Sequence, residues 1–263
     1  MTDDVTVPPP APSHSTGGAA PGGPVVRVLT GDDGADLAGA AWAGRWAGVW
    51  SPDVVAVHGA RSATGLDPRL LVTGVPATGS AQVVDAVAGA AASLGVPAVC
   101  VPWCWAGPGP IDPHARHAAV VAVPDTAAPE VLGEAAATAR AMDLELRLVR
   151  LSPRERLLDP ADDEPPAPWL LDRLGAEAAL LGRAVDIAHD LDPALTVSED
   201  LRDDGVLAWL HDTERRAAIT VFGLAADRAG GLGRWAAGHS AGVTMLVPLA
   251  PVVGGRPVTA PGR

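Results

Sequence analysis

Three features of the chain predict an α/β fold made of two modules with mostly parallel sheets. Short apolar runs alternate with helix-length segments through most of residues 24–253, the order that builds parallel strands joined by helical crossovers. The runs are continuously apolar, as at Ile219–Phe222 and Val243–Val247, which suits strands covered on both faces. Three pieces also recur in the same order: PVVRVLTGDDGADLAGAA against AAVVAVPDTAAPEVLGEAA, LLVTGV against ITVFGL, and GVPAVCVPW against GVTMLVPL. This repeat sets a module at 24–105, a linker at 106–116 and a module at 117–253, with a disordered tail at 1–23 and a short tail at 254–263.

The first tail is Pro, Gly, Ser and Ala with almost no large apolar side chain, so it cannot offset its chain entropy. Pro24–Thr30 reads as a strand, Gly31–Gly34 as an acidic turn, and a helix follows from about Ala35 to Trp50. Trp42, Trp46 and Trp50 fall four apart, on one stripe that reads as a core or interface face. Val54–His58 and Leu70–Thr73 are strands. Gly74–Ser80 is a compact turn into a helix at Ala81–Leu94, which Gly95-Val96-Pro97 stops. Ala98–Val101 closes the first module.

The second module opens on a strand at His117–Val123 and a turn at Pro124-Asp125-Thr126 that can cap the next helix, Pro129–Met142. Leu144–Leu148 is a strand, residues 152–168 a charged, Pro-rich connection, and Trp169–Leu191 a long amphipathic helix. A strand begins at Leu195–Val197, and a helix spans Val206–Glu214. The stretch from Ala217 to Leu249 then gives a strand, a glycine-bearing loop, a short helix at Leu232–His239 and a last strand. In such units ligands bind beyond the carboxyl ends of the strands, where loop amides and helix N-termini meet an anion.

Composition narrows the function classes. The net charge is −12, which repels phosphate backbones, and no local basic patch offsets it, so no nucleic-acid partner is expected. Every Lys/Arg position is Arg, with no Lys and no Asn in the chain, a pattern that reads as coding bias rather than function. Two cysteines, Cys100 and Cys104, form no disulfide framework. With no signal-like start and no unbroken apolar stretch of about 18 residues, a cytoplasmic, membrane-free protein is expected.

The second module resembles a nearly complete copy of the universal stress protein family. The order is HAAVVAV, helix, LELRLV, helix, strand, helix, ITVFG, helix, VTMLVP, and LTVSEDLRDDGVLAWLHDTERRAAITVFGLA is its most family-like piece. The first module resembles a copy whose middle is deleted, since Val57 to Leu70 has no room for a long helix, a strand and a second helix. The resemblance implies two Rossmann-like (adenine nucleotide alpha hydrolase-like) modules packed through the last strand of each, because an unpaired edge is best met by pairing. It also implies a binding, regulatory role in stress response, with no catalytic constellation.

Nucleotide-binding members of that family carry an Asp after the first strand. After the fourth they carry G-x-x-G, nine residues, then G-S or G-T. Small residues let backbone amides close on phosphates. The resemblance therefore marks Asp33 (or Asp32), Gly74, Gly79 and Ser80 in the first module, and Asp125 and Gly223 in the second, as candidate cofactor-binding residues. The pattern is broken in both modules. Ala226 and Ala236 stand where the family has Gly, Asp125 comes one place late behind Pro124, and only four residues separate Gly74 from Gly79. No cofactor is expected, ATP being the one the resemblance leaves open, through Gly79-Ser80. Self-association is expected, as an intrachain pseudo-dimer and, beyond it, a homodimer.

Gly238–Gly242 (GHSAG) matches the G-x-S-x-G nucleophile elbow of a serine esterase. An elbow needs a strand before its serine and a helix after it. Here an alanine-rich helix precedes Ser240 and a β-branched run follows, with no Asp, Glu or His beyond it. His114 with His117, and the acidic run 159–164, lack the spacing of a metal site and read as solvated loop.

Overall fold

The computed structural model describes residues 23–46, 48, 51, 53–105, 119–123, 128–151, 168–202, 206–214, 217–224 and 231–249. Residues 1–22 and 254–263 of the predicted tails, the linker 106–116, Trp50, His114, His117, Asp125, the run 159–164 and Ala226 lie outside them.

Among the described residues nine strands form one sheet rather than a sheet per module. They are β1 (Val25–Leu29), β2 (Val54–His58), β3 (Leu70–Val75), β4 (Ala98–Pro102), β5 (Ala119–Val123), β6 (Leu146–Leu151), β7 (Val197–Arg202), β8 (Ala217–Leu224) and β9 (Thr244–Pro248). The helices are α1 (Asp33–Trp46), α2 (Ser80–Leu94), α3 (Pro129–Met142), α4 (Pro168–Leu191), α5 (Val206–Glu214) and α6 (Leu232–His239). The strand order is β2-β1-β3-β4-β9-β8-β5-β6-β7. Every pairing is parallel except β4 with β9. The expected contact between the last strands of the two modules is this antiparallel seam.

The register around the seam is symmetric. On one side Gly74 pairs with Val101 and Val75 with Pro102; on the other Gly223 pairs with Val247 and Leu224 with Pro248. At the seam Val99 faces Met245, flanked by Ala98 opposite Leu246 and Cys100 opposite Thr244. Each residue thus meets the counterpart of its mirror position, as about a dyad through Val99 and Met245. Even the exits agree: the Trp103 N–H donates to the Val75 carbonyl at 2.9 Å, and the Leu249 N–H to the Leu224 carbonyl at 3.2 Å.

Covered strands explain the apolar runs. One face of the sheet (Val25, Leu70, Val99, Val120, Ile219, Met245) packs with α1, α3 and α4 in one core. The other face packs α2 against Val26, Val28 and Leu71, and α6 and α5 against Phe222, Leu224 and Leu246. Trp42 is the α1 side chain that this core encloses, and Trp46 lies at its margin, so two positions of the tryptophan stripe do face the interior.

Several boundaries differ from the sequence expectation. α1 is described over Asp33–Trp46, starting two residues before Ala35. β6 runs Leu146–Leu151 rather than from Leu144. β7 starts at Val197 rather than Leu195 and runs through charged residues to Arg202, with Asp200 paired with both Arg147 of β6 and Arg202. An edge strand needs no apolar run, so periodicity alone does not mark its end. A 3₁₀ turn at Ala60–Gly65 bridges β2 and β3 where the sequence suggests only a connection.

Candidate functional site

The helices that follow β1 and β3, neighbours in the sheet, lie on opposite faces: α1 on one, α2 on the other. Those that follow β5 and β8 diverge in the same way, α3 and α6. Each is a topological switch point, the place where an open α/β sheet leaves a crevice at its carboxyl edge. Because β4 and β9 run antiparallel, the two crevices open at opposite edges. Asp33, Gly74, Gly79 and Ser80 therefore gather at one edge and Gly223 at the other; they do not make one site.

At the first crevice the acid that organises the loop is Asp36. Its carboxylate accepts from the Thr30 N–H at 2.8 Å, the Thr30 hydroxyl at 3.0 Å and the Gly31 N–H at 3.1 Å. Asp32 caps α1, accepting from the Ala35 N–H at 2.9 Å, as N-cap aspartates do. Asp33 is exposed in the first turn of α1. Two loop amides that could face an anion are thus held by a side chain of the protein itself. The sequence reading chose Asp33 from its place after the strand and missed Asp36. The available signal was a Thr-Gly turn followed by a carboxylate on the first helical turn, close enough to fold back.

Gly74 is buried in β3 and lets α1 settle directly on the strand. A Cβ there would fall within the contact distance of the Ala35 carbonyl and 2.9 Å from Ala35 Cα. From the helix side, a Cβ on Gly39 would sit 3.0 Å from the Gly74 nitrogen. This is close helix–strand packing, a role a dinucleotide fold assigns to one of its glycines. Gly79 stands before α2 with φ of 74°, and Ser80 is the first helical residue; no side chain caps that end. Trp103, the counterpart of Leu249 by register, is exposed.

At the second edge, the described residues place side chains against Gly223. A Cβ on Gly223 would meet Val131 Cγ2 of α3 at 3.2 Å and Leu249 Cδ2 at 3.3 Å. Apolar side chains thus stand against this glycine.

Ser240 is the residue that ends α6, ahead of β9. Its Oγ accepts from the Gly242 N–H at 2.9 Å. His239 is stacked on Trp235, with Nδ1 2.8 Å from the Trp235 carbonyl. The order helix, serine, strand is the reverse of an elbow. Cys100 is buried, and burial pushes its thiol up to about 12, whereas Cys104 is exposed. Among the described residues no group of three or more His, Cys, Asp or Glu is placed to hold a metal ion, and no helix is long and apolar enough to cross a membrane.

No protein-family model matches the chain, and no curated protein matches it. Among solved structures it is similar to a universal stress protein from Archaeoglobus fulgidus, with a TM-score of 0.38 and 19% identity over 50% of this chain and 97% of that one. It is similar to another universal stress protein, from Archaeoglobus fulgidus DSM 4304, with a TM-score of 0.46 and 11% identity over 74% of this chain and 71% of that one. A protein of unknown function from Pseudomonas aeruginosa PAO1 gives a TM-score of 0.40 and 12% identity over 86% of this chain and 82% of that one.

Proposed function

We propose that this chain is a tandem, divergent universal-stress-like protein that acts by binding, with a regulatory output in stress response and no catalysis of its own. The supporting observation is the sheet. Outward from the seam, the second half runs β9, β8, β5, β6, β7, and the first half runs β4, β3, β1, β2 in the same sense, short of one strand. In this reading the first half is the truncated copy and the seam is an intrachain pseudo-dimer interface. Loss of nucleotide binding is supported by Val131 and Leu249 against Gly223 and by Asp36 holding the Thr30 and Gly31 amides.

The test is a thermal-shift titration with Mg-ATP and with Mg-ADP. A ligand at about 100 times its Kd adds about 2.7 kcal/mol, which for a chain of this size raises Tm by roughly 5–10 °C. The expected result is a flat titration into the millimolar range. A saturable rise favours a second reading, in which the first module keeps an adenine nucleotide site at the uncapped start of α2, Gly79 and Ser80. That rise would disappear in Ser80→Val. An esterase reading through Ser240 is met by an activated-serine probe, which is expected to leave the native protein unlabelled.

A further inference from the structure

We propose that the chain forms a two-fold homodimer by antiparallel pairing of its outer strand β2 with β2 of a second copy, centred on Ala56. Among the described residues β2 is the end of the sheet. The Val25 N–H donates to the Asp53 carbonyl at 2.8 Å, and the Gly59 N–H donates to the Leu29 carbonyl at 3.3 Å. A parallel ladder alternates, so 53, 55, 57 and 59 turn their backbone groups to β1, and Val54, Ala56 and His58 turn theirs outward. Of these groups the His58 carbonyl already accepts from the Ser62 hydroxyl at 2.9 Å.

The two ends of the sheet are treated differently. β7 carries Glu199, Asp200 and Arg202, the charges that keep an edge from pairing. β2 reads Val-Val-Ala-Val-His, with Val54 45% and Val55 37% exposed. The adjoining 3₁₀ turn packs on β1, β2 and α2, over one face, so among the described residues the edge itself is open.

Charge selects a second copy as the occupant. β2 is flanked by exposed Asp53 at its start, and by exposed His58 and Arg61 at its end. Antiparallel pairing about Ala56 sets Val54 opposite His58 of the other copy, so each Asp53 meets the other copy's His58–Arg61 end. The two-fold repeats the match on the far side. Parallel pairing would oppose like charges. The centred register also uses all three outward residues of both strands, about six hydrogen bonds. The chain already contains such a junction, the antiparallel pairing of β4 and β9.

Sedimentation velocity of the full chain, across roughly micromolar to 100 µM, should show a reversible dimer. Ala56→Pro removes an outward N–H that the β1 ladder does not use, a position where an edge strand tolerates proline. It should weaken dimerisation at least tenfold with the monomer fold intact by circular dichroism. Arg61→Asp should weaken it likewise, and the double change Asp53→Arg, Arg61→Asp should restore it; this pair decides if Ala56→Pro fails to fold. A wild-type chain that stays monomeric overturns the proposal. So does an Ala56→Pro dimer of unchanged affinity, or a charge swap that does not restore pairing.

Discussion

Gly74 and Gly223 occupy matching registers on β3 and β8, yet alanine should be tolerated at only one of them. A Cβ at Gly74 meets the backbone of α1, with Ala35 Cα at 2.9 Å and its carbonyl closer still. Relaxed carbon contacts are about 3.5–4.0 Å, so α1 must shift by more than about 0.6 Å. That helix is anchored by Asp36 to Thr30 and Gly31 and by Trp42 in the core, and it cannot move without unpacking them. Overpacking of this kind costs about 1–3 kcal/mol and occasionally more; the upper end applies because the obstacle is backbone. At Gly223 the nearest atoms are side-chain methyls at 3.2 and 3.3 Å, which can turn aside. Removing a glycine from a strand also recovers roughly 0.5–1 kcal/mol. Gly223→Ala should thus stay within about 1 kcal/mol of the parent, while Gly74→Ala loses about 3 kcal/mol. At about 2–4 °C per kcal/mol, that is a fall in Tm of roughly 6–12 °C. Thermal and urea unfolding followed by circular dichroism measure both. Equal losses in the two variants, or a Gly74→Ala protein as stable as its parent, would refute the packing argument.

Cys104 should react with a chromogenic disulfide reagent in the native protein while Cys100 reacts only in denaturant, because burial holds the Cys100 thiol neutral. The unfolded chain ionises this thiol near 9.0 and the folded chain near 12. Between those values the unfolded state binds fewer protons, so the contribution is whole below pH 9 and is lost as pH rises, by about 1.4 kcal/mol per pH unit. A urea midpoint that does not fall across that window contradicts it. Asp36→Ala removes the acceptor of three hydrogen bonds; a loss of about 1–3 kcal/mol is expected, with faster hydrogen exchange at Thr30 and Gly31, and unchanged exchange would show that the carboxylate does not hold the loop. Met245→Asp puts a charge on the dyad, at a fully buried position opposite Val99; it should cost more than about 4 kcal/mol, and a stably folded variant near the parental midpoint would show that the seam is not packed as described.

Much of the fold was legible because burial on two faces writes itself into composition. Leu70–Val75, Ala98–Pro102 and Ala217–Leu224 are apolar at nearly every position, since helices cover both sides of the sheet. α6 was found with its observed bounds, because Gly231 and Ser240 flank a short run of helix formers. The end of β7 is not legible in the sequence for the converse reason: its outer half is held by Arg147, Asp200 and Arg202, and ion pairs across an edge have no periodicity. The candidate site was legible only in part. Gly74, Gly79 and Ser80, marked by the family resemblance, stand at the carboxyl edge of β3 and the start of α2, but nothing local says that Asp36 would fold back on Thr30.

By itself the sequence determined the order of strands and helices and the repeat, because each follows from local pattern: apolar runs, turn residues and helical spacing. Only the tertiary structure decided that β4 and β9 join one sheet in antiparallel register, that the helices after β1 and β3, and after β5 and β8, diverge to opposite faces, and that the two switch points so formed open at opposite edges. It alone showed Leu249 and Val131 closing on Gly223 while α1 lies on Gly74. These are contacts between segments far apart in the chain. What fills the space above a glycine depends on which distant side chain the packing brings there.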